Sequence, residues 1–77
     1  MPTPTPVADT ILVVDDVPAI CALVVATLAE LPYRVLVAHT VEAAKGALDH
    51  TERVRALVVD FDLPDGNGLE IIHHARC

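Results

Sequence analysis

The sequence predicts an α/β fold built on a parallel sheet, and three observations carry that expectation. Two short apolar runs, Ile11-Leu12-Val13-Val14 and Ala56-Leu57-Val58-Val59, are mostly β-branched and lack polar alternation, as strands covered on both faces do. Both stop abruptly at carboxylates, Asp15-Asp16 in one case and Asp60 in the other. Segments of helical apolar spacing separate them, with connections rich in Pro, Gly and Asp, so strands and helices alternate along the chain.

Taken in order, Thr10 to Val14 is the first strand. Asp16 is a suitable N-cap and Pro18 fits the first turn of a helix, which runs to about Leu31, where Pro32 forbids continuation. Ile20, Leu23, Val24, Thr27, Leu28 and Leu31 recur at helical spacing and are expected to face the sheet. Cys21, Ala22, Val25, Ala26 and Ala29 fall on the opposite side, which is unusually apolar for a surface helix. Tyr33 to Ala38 reads as the second strand, with Val35 and Val37 on one face and Leu36 and Ala38 on the other. Thr40 can cap a helix from Val41 to about His50 that turns Val41, Ala44 and Leu48 inward. Gly46 in its middle costs about 1 kcal/mol relative to Ala. Val54 to Val59 is the third strand. After a turn containing Pro64 and Gly66, a last helix begins near Asn67 or Gly68, places Leu69, Ile72 and Ala75 on one face, and runs to Cys77.

Right-handed crossovers between parallel strands then give the order 2-1-3, with the first and third strands adjacent. Asp15, Asp16 and Asp60 consequently meet at the carboxyl edge of the sheet, where open α/β sheets bind ligands. Clustered carboxylates repel one another unless a cation neutralises them. Hard oxygen donors in this number suit Mg²⁺, which keeps several waters and favours an accompanying phosphate.

Composition narrows the remaining possibilities. At 77 residues the chain makes one small domain, whose core must come from Val, Leu, Ile and Ala, because there is one Phe, one Tyr and no Trp. The net charge of −6 argues against a nucleic-acid footprint and against docking on anionic membrane. Five of the eleven acidic residues stand at Asp15-Asp16 and Asp60, Asp62 and Asp65, where a cation would be useful. Cys21 and Cys77 lie far apart and form no metal-type spacing, which points to reduced thiols in a cytoplasmic protein. Residues 1–9, opening on alternating Pro and Thr, read as an extended tail with neither the basic nor the apolar region of a signal peptide, leaving 10–77 as the domain. The most apolar stretch, Val17 to Leu31, is too short to span a membrane. His39, His50 and the adjacent pair His73-His74 are expected to be solvated, since chelating histidines on a helix stand four apart.

The combination of Leu12-Val13-Val14-Asp15-Asp16 with Asp60-Phe61-Asp62-Leu63-Pro64-Asp65-Gly66-Asn67-Gly68-Leu69 resembles the receiver domain of two-component response regulators. The resemblance covers Thr10 to Cys77 and implies a flavodoxin-like parallel sheet. It makes Asp60 the phosphoacceptor for a phosphoryl group from a histidine kinase or phosphotransfer protein, in a signalling domain rather than an enzyme. Asp16 would hold Mg²⁺ directly, Asp15 through water, and Asp60 and the backbone carbonyl of Asp62 would complete the set. Pro64 and Gly68 would shape the loop.

A receiver of this family has five strands, and the sequence carries three. The resemblance places a Ser or Thr after the fourth strand and a Lys after the fifth, and the single lysine here, Lys45, lies in the second helix. Phosphotransfer is therefore expected to be slow or absent. The third strand becomes an edge, so partial unfolding or self-association through Val54 to Val59 or the first helix is expected. Two other readings are weighed against the acceptor. One is a receiver fragment that binds a partner without being phosphorylated. The other is a fragment of a haloacid-dehalogenase-type phosphatase, suggested by Asp60-Phe61-Asp62 but leaving Asp15-Asp16 unexplained.

Overall fold

The computed structural model describes residues 9–76. Most of the proposed tail, 1–8, and the last residue of the proposed final helix lie outside that range. Three strands, β1 (Thr10–Val14), β2 (Arg34–Ala38) and β3 (Val54–Val59), alternate with helices α1 (Pro18–Leu28), α2 (Val41–His50) and, last, α3 (Gly68–Ala75). The strands form a parallel sheet in the order β2-β1-β3, so right-handed crossovers put α1 on one face and α2 on the other.

β1 is the centre of the sheet, and all five of its residues are buried. Its pleat divides the core in two. Ile11 and Val13 point to the α1 side and pack with Cys21, Val24, Leu28 and Val35. Leu12 and Val14 point the other way, into a larger cluster with Ala38, Val41, Ala44, Leu63 and Ile71 beneath α2 and α3. Such two-sided burial is why the run shows no polar alternation.

Two helices present faces other than those their apolar spacing suggested. α1 buries Cys21, with Val24 and Leu28 half-buried, whereas Ile20, Leu23 and Leu31 are exposed, Leu23 at 63%. Because α1 is apolar nearly all round, spacing cannot choose its inner face. The choice falls on the small Cys21 side, which lets the helix approach Ile11 and Val13. α1 also stops at Leu28 rather than Leu31. Pro32 disfavours helical geometry at Leu31, so the chain leaves the helix in a tight turn closed by Leu31 N–H donating to the Leu28 carbonyl at 3.0 Å. In α3 the buried residues are Gly68 and Ile71, while Leu69 and Ile72 are 58% and 41% exposed. α2 matches expectation, with Val41 and Ala44 buried and Leu48 packed against the same cluster.

The entry to β3 is irregular. Thr10 pairs with Val54 but Ile11 pairs with Ala56, so Arg55 is an extra residue in the ladder, and Arg53 takes a left-handed conformation with φ 62°. Asp9 ties this corner, pairing with Arg53 at 2.9 Å and Arg55 at 3.4 Å, and its carbonyl accepts from Arg34 N–H. Beyond the bulge the register is regular, and it sets Val14 beside Val59.

Candidate functional site

Because Val14 and Val59 are partners in adjacent parallel strands, the residues that follow them emerge side by side at the carboxyl edge. The ladder continues one residue past each strand: Asp60 N–H donates to the Val14 carbonyl at 2.9 Å, and Asp15 N–H to the Ala38 carbonyl at 3.1 Å. Asp15, Asp16 and Asp60 each offer a carboxylate oxygen, and these three oxygens lie within 4.8 Å of one another. Asp15 and Asp60 are half-buried and Asp16 is exposed. A donor set made wholly of carboxylate oxygen, partly open to solvent, fits Mg²⁺ with several retained waters.

Asp16 does not cap α1. Val17 holds that position without a side-chain cap, and the Asp15 carboxylate bends back to accept Val17 N–H at 2.9 Å. The Asp15 side chain thus forms the turn. Behind it, the Asp15 carbonyl accepts from the Cys21 thiol at 3.3 Å and lies 2.9 Å from His39 Nδ1. His39 is therefore not merely solvated, and Cys21 is not merely a filler of the core. Burial pushes the Cys21 thiol up from its ordinary value, and the Asp15 charge adds to that. Nothing in the linear sequence links Cys21, His39 and Asp15, and only the β1-α1-β2 topology brings them together.

The loop after Asp60 is more ordered than a Pro and Gly turn suggests. Two two-residue strands, β4 (Asp62–Leu63) and β5 (Gly66–Asn67), pair antiparallel, with Asp62 opposite Asn67 and Leu63 opposite Gly66. Asp62 stands at the start of this hairpin with its side chain exposed, Leu63 plugs the core, and Pro64 is exposed at the turn. The Asp65 carboxylate reaches across to the first turn of α2, accepting Val41 N–H at 2.7 Å and Glu42 N–H at 3.0 Å. These bonds, Glu42 foremost, hold the Asp65 carboxyl below its ordinary range.

α3 starts with a reciprocal cap. Asn67 accepts from Leu69 N–H and Glu70 N–H, while Glu70 accepts from Asn67 N–H at 2.9 Å. The Asn-x-x-Glu spacing was visible in the sequence. Gly68 N–H donates to the Phe61 carbonyl at 2.8 Å, and a Cβ on Gly68 would stand 2.6 Å from the Asp60 carbonyl oxygen. Only glycine lets the start of α3 lie directly on the backbone of Asp60. Far from this edge, His74 meets Asp49 at 2.7 Å and joins α3 to α2.

A family model described as the response regulator receiver domain matches residues 11–76. The chain belongs to this family. Receiver domains are signalling modules of two-component systems, and the three βα units with strand order 2-1-3 are part of the receiver fold. A search of curated proteins returned no match. No helix among the described residues is long and apolar enough to cross a membrane.

Proposed function

We propose that this receiver domain takes a phosphoryl group onto Asp60, with Mg²⁺ held by Asp15, Asp16 and Asp60 and by the backbone carbonyl of Asp62. The observation that carries the reading is the meeting of three carboxylates within 4.8 Å at the edge where β1 and β3 end. A carboxylate oxygen of Asp60 attacks phosphorus, the bond from phosphorus to the donor breaks, and an aspartyl phosphate results. Mg²⁺, when bound, offsets negative charge on the transferring oxygens. Asp16 and Asp15 supply the charge that retains the ion, and the loop shaped by Pro64 and Gly68 presents Asp60. The donor is a sensor histidine kinase or a phosphotransfer protein, in the cytoplasm, where reduced Cys21 and Cys77 belong.

The test is the intact mass of the chain after incubation with Mg²⁺ and acetyl phosphate, which leaves as acetate. Gain of one phosphoryl mass that needs Mg²⁺ and is absent from Asp60→Asn supports the reading. A folded chain that gains nothing favours a receiver that binds its partner unphosphorylated.

β3 pairs only with β1 among the described residues, and its outer side shows Arg55, Ala56 and Val58 to solvent. A second copy of the chain pairing on this edge, or on the exposed Ile20 and Leu23 of α1, is part of the same proposal.

A further inference from the structure

The hairpin that follows Asp60 is fastened to the molecule at three places. Leu63 is buried in the same cluster as Val41 and Ala44 of α2. Gly68 N–H is bonded to the Phe61 carbonyl, which closes the base of the loop. The third fastening is at the tip, where both carboxylate oxygens of Asp65 are taken up by the backbone of α2, Oδ1 by Val41 N–H and Oδ2 by Glu42 N–H.

α2 does not depend on Asp65 alone for its cap. Thr40, the residue before the helix, accepts Ala43 N–H at 3.0 Å through its hydroxyl, and its carbonyl accepts Ala44 N–H. Thr40 and Asp65 thus divide the four N–H groups of the first turn, one partner local and the other more than twenty residues away. The local cap acts on the helix only. The distant one also fixes the loop, because Asp65 lies three residues after Asp62 in a turn stiffened by the β4–β5 pairing. The approach is close on the neighbouring residue as well, since a Cβ on Gly66 would meet Glu70 Oε2 and stand 3.1 Å from Val41 Cγ2.

We propose that Asp65 is a positioning residue for the phosphoacceptor site, clamping the tip of the Asp62–Asn67 hairpin to the N-terminus of α2 and so fixing the loop that carries Asp62, whose carbonyl is proposed above as a metal ligand. The proposal rests on the acceptor reading above and deepens it. Asp65 touches neither phosphoryl group nor metal, and it acts through the backbone it anchors. Release of the clamp leaves Leu63 and Gly68 as fastenings, residues 64–67 gain freedom, and the pairing of Asn67 with Asp62 passes that freedom to the residue proposed as metal ligand.

The test is Mg²⁺ titration, followed by calorimetry and by the amide resonances of Val59 and Asp60, on the wild-type chain and on Asp65→Ala, Asp65→Asn and Thr40→Ala. Asp65→Ala weakens Mg²⁺ binding by about tenfold, the usual effect of removing a group that orients a ligand. Asp65→Asn, which keeps one acceptor oxygen, recovers part of the loss and serves as the comparison if the alanine variant is unfolded by circular dichroism. Thr40→Ala removes the local cap, lowers the melting temperature and leaves Mg²⁺ affinity at the wild-type level. Wild-type affinity in Asp65→Ala, or an equal loss in Thr40→Ala, would overturn the positioning role and leave the acceptor reading standing. A wild-type chain that binds no Mg²⁺ would overturn the acceptor reading, and the proposal with it.

Discussion

Two glycines begin and interrupt helices in this chain, and the same substitution should act on them in opposite directions. Gly46 lies in the middle of α2, and a Cβ there meets nothing within 4 Å. Gly46→Ala therefore gains the helical propensity difference between the two residues, about 1 kcal/mol. Gly68 is the first residue of α3, and its Cβ would lie 2.6 Å from the Asp60 carbonyl oxygen and 2.8 Å from Val59 Cγ1. A carbon and an oxygen in close contact sit about 3.3–3.6 Å apart, so the helix start or the Asp60 backbone must move. Neither is a flexible side-chain end, and overpacking of this kind costs about 1–3 kcal/mol. Set against a propensity gain of at most about 1 kcal/mol, the upper part of that range leaves Gly68→Ala with a loss of up to about 2 kcal/mol. In a domain of this size each kcal/mol moves the melting temperature by about 4–8 °C, so the two variants should melt on opposite sides of wild type. Urea denaturation with a common slope measures both differences, and the amide resonance of Asp60 should shift in Gly68→Ala only. A Gly68→Ala chain as stable as Gly46→Ala would refute the packing of α3 on Asp60.

Other expectations follow from the same contacts. Leu12 is fully buried at the centre of the sheet, so Leu12→Ala should cost about 2–5 kcal/mol, enough to unfold much of a small domain, and circular dichroism will show the loss. The Asp65 carboxyl is held below its ordinary value of 3.8 by the Glu42 and Val41 amides, so its contribution to stability is present above that value and is lost as pH falls through the lower folded one. Acid titration of melting temperature should be flatter below about pH 4 in Asp65→Ala than in wild type, and an unchanged acid limb would contradict the bonds to α2. Cys21, buried and with its thiol held protonated, should resist a thiol reagent in the folded chain of a Cys77→Ser background and react on unfolding in urea. If β3 is a sticky edge, sedimentation velocity should show mass rising with concentration, and Val58→Lys should suppress it.

The sheet and its acidic edge could be read from residues alone because each follows from a short-range signal. β1 is an unbroken apolar run, Thr40 and Pro18 mark helix starts, and the order 2-1-3, with its first and third strands adjacent, brings Asp15 and Asp60 together. Where the signal was degenerate the expectation went astray. α1 offers apolar side chains in every direction, so the burial of Cys21 in place of Ile20 and Leu23 was decided by fit to Ile11 and Val13. In α3, Leu69, Ile71 and Ile72 allow two inner faces, and the capping box with Gly68 on Asp60 selects the one that buries Ile71. Asp65 and the contact of His39 and Cys21 with the Asp15 carbonyl join residues far apart in sequence, and no local pattern announces them.

The most direct test of the account is to locate the modified residue. After incubation with Mg²⁺ and acetyl phosphate, an aspartyl phosphate can be reduced with borohydride, which converts the acceptor aspartate to homoserine, and peptide masses then identify the position. Homoserine is expected at Asp60 alone, with none in chain treated without Mg²⁺. Homoserine at Asp15, Asp16, Asp62 or Asp65, or an unmodified Asp60 in a folded chain that binds Mg²⁺, would contradict it.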